Sequence, residues 1–354
     1  MEKNARITYI DTIRLLATIA VVLTHVASIH IEDLSPNTLE WQVHNIYGAV
    51  SRWCVPVFVM ISGALFLDKG KTWNIEKLYK KNISRIVISL IAWSLIYAFF
   101  QYITLPRYHN IISIFGLTII GHYHLWFLYM ILGIYLVLPI LKTISENRNI
   151  LCYFLLLSLF FVFINPTVIH FSNSILPQQI IAYFDTHPYF LDALSTNYQH
   201  LTPKVLLGYS FYFLLGHYLN TTNISKKYLL ILGLLGFLYI FTFTFLYSDK
   251  EGCFYGDFYH YLSIGPILES VFVFCAIKDS LVLNSLSSNI FNKTSFGIYL
   301  IHPMIIESLL LLDIDTLSFP PIIWIPCMVI IVYILSFSII SILIRIPLFS
   351  KYCL

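Results

Sequence analysis

Arg14 and His25 stand eleven residues apart within the apolar stretch YIDTIRLLATIAVVLTHVASIH, residues 9–30. At 3.6 residues per turn that is about three turns, so both side chains leave one face of a helix, roughly 16 Å apart along its axis. Asp11, Thr18 and Ser28 fall near the same stripe. A histidine titrates near neutral pH and can take up or release a proton. An arginine is a permanent cation with a planar fork suited to anionic groups. The plain alternative is that Arg14 snorkels to an interface, Asp11 pairs with it at i, i+3, and His25 is a packing histidine. Helix one by itself does not decide between them.

Other residues of the same kind recur along the chain. Arg52 lies in the outer half of the second apolar segment, which ends VPVFVMISGALFL, where Ser62-Gly63 lets another backbone come close. Arg85 opens the third. The fourth begins GHYHLWFLYM, placing His122, His124 and Trp126 where an interfacial belt would stand. Glu269 lies in the eighth, and the ninth reads TSFGIYLIHPMIIES, with Tyr299 and His302 mid-span and Glu307 beyond. A charged side chain near a bilayer centre costs about 2.5–3.5 kcal/mol on insertion scales. Glu269, Glu307 and Arg52 are expected either to neutralise one another or to face a common interior.

Composition sets the frame for these residues. The chain has 354 residues, 58% of them hydrophobic and 11% charged, with a mean hydropathy of +0.79. A soluble chain carries about a quarter charged residues, so this one is read as a multi-pass membrane protein. Ten segments approach the length of a span: 9–30, 46–67, 83–103, 124–141, 150–169, 204–219, 228–247, 259–277, 294–312 and 321–345. Residues 111–120 are an extra re-entrant or interfacial candidate. Lysines and arginines recur in alternate loops, including Lys69 to Lys81, Lys142 with Arg148, Lys226 with Lys227, and Lys278 with Lys293. That alternation predicts cytoplasmic N- and C-termini for an all-α integral membrane protein of about ten helices. The first segment shows no small-residue cleavage site and is expected to be retained. Six scattered cysteines have no metal-like spacing and are expected to pack rather than pair. Residues 1–354 are expected to form a single membrane domain, without internal repeats; nothing calls for a metal or for nucleic acid.

Four pieces, in order, carry a family likeness. RLLATIAVVLTH, an arginine followed by ten residues and a histidine, resembles the first-helix signature of the membrane acyltransferase-3 family. FVMISG, HLWFL and SFGIYLIHP resemble three further stretches of that family, and together they run from Arg14 to Pro303. The resemblance implies transfer of an acyl group, usually acetyl from cytoplasmic acetyl-CoA as co-substrate, to a hydroxyl of a glycan or lipid-linked sugar. It implies a bacterial cytoplasmic (inner) membrane location. It also implies that His25 is the catalytic histidine and that Arg14 helps hold the acyl-CoA; Arg85, His124 and Trp126 match other family positions. Some relatives carry an added esterase-like domain. A chain closing just past its tenth helix is expected to be similar to the stand-alone branch typified by the enterobacterial common antigen O-acetyltransferase.

On that footing His25 takes the proton of the acceptor hydroxyl as its oxygen attacks the acyl carbonyl. Arg14 lies where the pantetheine arm would enter. Lys80 and Lys81, among the lysines of 69–81, meet the CoA phosphates or serve topology alone. Asp11, Arg52, Ser62, Tyr299, His302 and Glu307 are expected to support the site or line the acceptor path, and the polar segment 170–203 to recognise the acceptor. A covalent acyl-histidine remains open. So do two rival classes: a proton-coupled transporter or flippase, for which internal pseudo-symmetry is expected and not found, and a binding module without turnover.

Overall fold

A computed structural model describes residues 2–68, 74–105, 111–164, 166–167, 208–280, 289–347 and 349, and among them every regular element is helical. Helix α1 spans Glu2–Ala27. Thr38, whose hydroxyl accepts from the Trp41 amide, caps α2 (Leu39–Ser51), and α3 (Cys54–Phe66) continues it after an interruption at Arg52 and Trp53. A π-helical turn over Leu78–Ile83 leads into α4, Ser84–Thr104. Then come α5 (Ile111–Ile120), α6 (Trp126–Leu136), α7 (Leu138–Glu146) and α8 (Arg148–Ser158). The second half holds α9 (Ser210–Thr221), α10 (Lys226–Glu251), α11 (Ile264–Lys278), α12 (Asn289–Leu310) and α13 (Pro321–Leu343).

Among the described residues seven helical stretches are long and apolar enough to cross a membrane: Tyr9–Ala27, Leu39–Phe66, Ile75–Thr104, Ile114–Leu136, Lys227–Glu251, Asp257–Lys278 and Pro321–Leu343. The protein is therefore an all-helical, multi-pass membrane protein. Each of the ten expected segments contains helix, but several are not single rods. Segment 46–67 begins earlier, at Leu39, and breaks at Arg52. Segment 124–141 is cut at Val137, after which Pro139 opens α7 in the first helical turn. α7 meets the helical run Arg148–Ile164 at 119°, so 150–169 belongs to a bent pair. Residues 111–120 form α5, which leads toward α6 within one span. The polar segment 170–203 lies outside the described residues.

α1 is the central stave, touching α2, α3, α11, α12 and α13. This explains how it keeps a polar stripe: Arg14 pairs with Asp11 at 3.2 Å, and the Thr18 and Ser28 hydroxyls bond back to the carbonyls of Arg14 and Thr24. Its other faces are apolar, with Ile13, Val22 and Val26 fully buried.

Backbone proximity sets the pitch of the α3–α9 pair. A Cβ on Gly63 would overlap the Phe213 carbonyl, and one on Gly216 would overlap that of Met60. Small residues permit this in membranes, where packing rather than expulsion from water holds helices together. Two lysines close helix ends: Lys142 reaches the Leu67 carbonyl, and Lys278 those of Leu219 and Thr222, at 2.7 Å each. Both therefore satisfy orphan carbonyls at helix C-termini, and both stand in helices, α7 and the last turn of α11, rather than in the loops expected of them.

At the His25 end of α1 the loops are tied by polar contacts. His30 bridges Asp33 and Asp315 at 3.3 and 3.1 Å, and His44 Nδ1 donates to the Glu40 carbonyl while its Nε2 accepts from the Thr316 hydroxyl. Burial pushes the Asp315 carboxyl up, but the Leu317 amide, His30 and the Ser318 hydroxyl outweigh it and hold the group below the usual carboxylate range.

Two outcomes follow. Gly63→Val should destabilise the protein by about 1–3 kcal/mol or more through overpacking, whereas Gly133→Val, with open space around it, should not; thermal melts in detergent compare them. The lowered Asp315 carboxyl adds stability above its unfolded titration point that is lost as pH falls through the folded one, below about pH 4. Asp315→Asn should remove that acid-side component from the pH dependence of melting.

Candidate functional site

Proline in α12 builds the site. Pro303 has no N–H, so the Tyr299 carbonyl four residues earlier has no helical donor. His302 Nδ1 takes that carbonyl at 2.8 Å and the Ile298 carbonyl at 3.1 Å, which fixes its tautomer with the hydrogen on Nδ1. Its Nε2, fully buried, is left as a lone pair without a partner, and its ring lies 5.0 Å from that of His25. The Met304 amide donates to the Tyr97 hydroxyl, which itself donates to the Leu300 carbonyl at 2.8 Å. The sequence IYLIHP thus trades regular helix bonding for a set of fixed polar partners facing α1.

A second segment meets it from the other side. Gly121, at φ 75°, makes a left-handed turn that glycine adopts freely, and this returns the chain inward after α5. His122 and His124 follow, and both are buried within the bundle. Their Nδ1 atoms are 2.9 Å apart, His124 Nε2 lies 3.2 Å from the Leu300 carbonyl, and His122 Nε2 lies 2.9 Å from Glu307. The Tyr97 ring stacks on His122 at 4.1 Å. The Tyr299 hydroxyl donates to the His124 carbonyl. Glu307 is therefore the partner of His122, not of Arg52 or Glu269.

Three cavities adjoin along α1. The middle one, about 160 Å³, is lined by His25, Arg14, Thr24, Cys54, His124 and Tyr299 among others. Engineered cavities of about 150 Å³ hold a benzene molecule, so this one has room for a group of that size. Toward Arg14 it shares Arg14, Phe58, Phe127 and Phe296 with a second chamber of about 430 Å³, whose wall adds Lys81, Asn82, Arg85 and Ser62. Toward the other end it shares Trp126 and Tyr261 with a third, about 450 Å³, bounded by Glu32, Asp257, His260, Arg52 and Tyr209. One end chamber is basic and the other is aromatic with carboxylates.

The structure brings together most of the residues singled out from sequence. Arg14, His25, His124, Trp126 and Tyr299 share the middle cavity, with His302 against His25 and Glu307 behind His122. Arg85 and Ser62 stand in the basic chamber. Arg52 stands in the aromatic one, its guanidinium 4.0 Å over the Tyr259 ring and its Nε without a partner. Asp11 acts through Arg14. Lys80, by contrast, is exposed and paired with Glu76 at 2.6 Å. Phe58, Phe127 and Phe296 at the joint of two chambers belong to the stretches FVMISG, HLWFL and SFGIYLIHP, where each reads as apolar packing rather than as a site residue. Asp257, His260 and Tyr261 come from the short connection between α10 and α11, which nothing local marks as belonging with His25.

Comparison with known proteins agrees in kind. The family model of the acyltransferase-3 domain, described as an acyltransferase domain, matches residues 7–341. Two similar proteins, from Staphylococcus aureus strains MSSA476 and MW2, are each described as a probable poly-beta-1,6-N-acetyl-D-glucosamine export protein. Each is 23% identical over 272 residues, covering 72% of this chain and 69% of the relative. No solved structure matches.

Replacing Pro303 tests the origin of the site. Pro303→Ala returns an N–H to the Tyr299 carbonyl in competition with His302. Helix stability should hold or rise, because proline is disfavoured in a helix interior by about 3 kcal/mol. The ¹⁵N signals of His302 should nevertheless shift from a single Nδ1–H tautomer toward a mixture. An unchanged His302 spectrum would show that the proline does not set its orientation.

Proposed function

The chain belongs to the membrane acyltransferase-3 family, and from that premise we propose that it moves an acetyl group from acetyl-CoA to a hydroxyl of a cell-envelope glycan or lipid-linked sugar. The observation that carries this reading is the order of the three cavities: basic chamber, histidine cavity, aromatic chamber, each sharing a wall with the next. A CoA thioester has an anionic head and a slender pantetheine arm. Lys81 and Arg85 suit the phosphates, as a point charge and a planar fork respectively. The phenylalanines between the chambers suit the arm, which would pass Arg14 so that its thioester ends beside His25. Sugars present hydroxyls and apolar faces. Trp126, whose ring lies 5.8 Å from that of Tyr261 and nearly parallel to it, offers a flat face, and Glu32 and Asp257 offer acceptors for hydroxyls.

The chemistry balances without another reactant. The acceptor oxygen attacks the thioester carbonyl while His25 takes its proton. Arg14, about three turns along α1 and paired with Asp11, would hold the CoA arm rather than touch the reacting carbonyl. The C–S bond then breaks, and His25 passes the proton to the CoA sulfur. His302 supports this role: its bare Nε2 can accept a hydrogen from one nitrogen of His25 and leave the other free as the base. The reading also takes the membrane to be the bacterial cytoplasmic one, with the Lys81 and Arg85 end facing the cytoplasm and the donor pool.

The name of the staphylococcal relatives favours a second reading, movement of a glycan across the membrane. Under it the aromatic chamber would be one stage of a path and acyl-CoA would be neither bound nor consumed.

Label transfer separates the two. Purified protein should release CoA from [¹⁴C]acetyl-CoA and label an envelope glycan. His25→Ala should lose at least about 100-fold in rate, the lower range for a general base, while still binding CoA. Arg85→Ala with Lys81→Ala should weaken CoA binding roughly tenfold. A wild-type protein that neither binds nor consumes acyl-CoA with host glycans present would overturn the reading in favour of transport.

A further inference from the structure

Three contacts run in series from α12 to the wall of the His25 cavity. Glu307 Oε1 meets His122 Nε2 at 2.9 Å, His122 Nδ1 meets His124 Nδ1 at 2.9 Å, and His124 Nε2 meets the Leu300 carbonyl at 3.2 Å. Each needs one hydrogen between its two heavy atoms. The carbonyl has none to give, and neither has a carboxylate. Two neutral imidazoles carry one N–H apiece. The count is therefore three contacts and two hydrogens.

We propose that the His122–Glu307 pair binds one proton beyond these neutral-imidazole and carboxylate forms, and that this proton positions His124 at the cavity wall. Without it, one contact sets two lone pairs against each other in a site where His122 and His124 are 6% and 1% exposed. With it, every atom is satisfied in one way only. The Leu300 carbonyl holds the hydrogen of His124 on Nε2, His124 Nδ1 accepts from His122 Nδ1–H, and the third hydrogen lies between His122 Nε2 and Glu307. The pair carries no net charge wherever along that bond the proton sits, which suits a low-dielectric interior. Glu307 is 28% exposed at its side chain and lies three residues from the end of α12, so the pair is not sealed within the bundle.

Among the described residues the neighbours of the pair offer no substitute hydrogen. Tyr97, stacked on His122 from α4, spends its hydroxyl hydrogen on the Leu300 carbonyl. His302 on α12 spends its own on the Tyr299 carbonyl. Tyr123 touches His122 only through its ring, at 4.4 Å between centroids, and His25 on α1 adjoins Tyr123 and His302. Both nitrogens of His124 are thereby committed, so His124 is not a base. His122 and Glu307 are positioning residues that act through it. The consequence for catalysis rests on the acyl-transfer reading; the bound proton does not.

The test uses Glu307→Gln, whose amide N–H supplies the third hydrogen to a neutral His122, beside Glu307→Ala, which supplies none. Thermal melts of the full-length protein in detergent, across about pH 6 to 9, need no activity. Wild type should lose stability as pH rises and the proton leaves, by about 4 °C beyond any loss shown by Glu307→Gln. Glu307→Ala should melt lower than both at pH 6. If acyl transfer is found, its high-pH limb should move outward in Glu307→Gln by the same comparison. Identical pH dependence in wild type and Glu307→Gln would overturn the proposal. A lost difference between wild type and Glu307→Gln counts against the proton, and absent turnover with that difference intact counts against the enzyme reading alone.

Discussion

A histidine ring inside a membrane protein must find a partner for each nitrogen that carries a hydrogen, and α12 provides those partners by giving up regular backbone bonding around Pro303. The Tyr299 carbonyl goes to His302, and the Leu300 carbonyl goes to Tyr97 and His124. From this follows the rest of the cluster: a His302 ring of fixed tautomer beside His25, a His124 ring of fixed tautomer on the cavity wall, and His122 locked between His124 and Glu307. An unbroken helix would offer none of these acceptors. The cost is lost helix bonding, which the side chains restore in a form that also holds a site.

The enclosure of α1 is the second requirement. A stripe bearing Arg14 and His25 is tolerable only where neighbouring helices shield it from lipid. Five helices do so, and the close α3–α9 approach at Gly63 and Gly216 is part of that packing. The same enclosure leaves room on the polar face, and the three cavities occupy it. Packing and function are therefore coupled through one helix: its apolar faces anchor the bundle while its polar face opens onto the chambers.

Much of this was legible in the sequence. The eleven-residue spacing of Arg14 and His25 places both on one face because helical geometry is rigid, and the two do line one cavity. The apolar segments become helices for the same reason. Breaks were harder to see. Arg52, Val137 and the 119° bend interrupt runs whose hydropathy is continuous, and hydropathy does not register backbone direction. His122 beside Trp126 reads as part of an ordinary aromatic belt, and its burial against Tyr97 and Glu307 follows from the left-handed turn at Gly121, which no local pattern of side chains marks. Tyr97 carries no local signal in its apolar run, since its hydrogen-bond partners lie more than 200 residues away. The aromatic chamber joins Glu32 to Asp257 and Tyr261 across a similar separation, a juxtaposition that no local pattern encodes.

The central claim is that donor and acceptor enter from opposite chambers and meet at His25. A cryo-EM structure of the protein with acetyl-CoA tests it most directly. The account predicts phosphate density among Lys81 and Arg85, the pantetheine arm passing Arg14, Phe127 and Phe296, and the thioester beside His25. Nucleotide density in the chamber of Asp257 and Tyr261, or outside all three cavities, would contradict it.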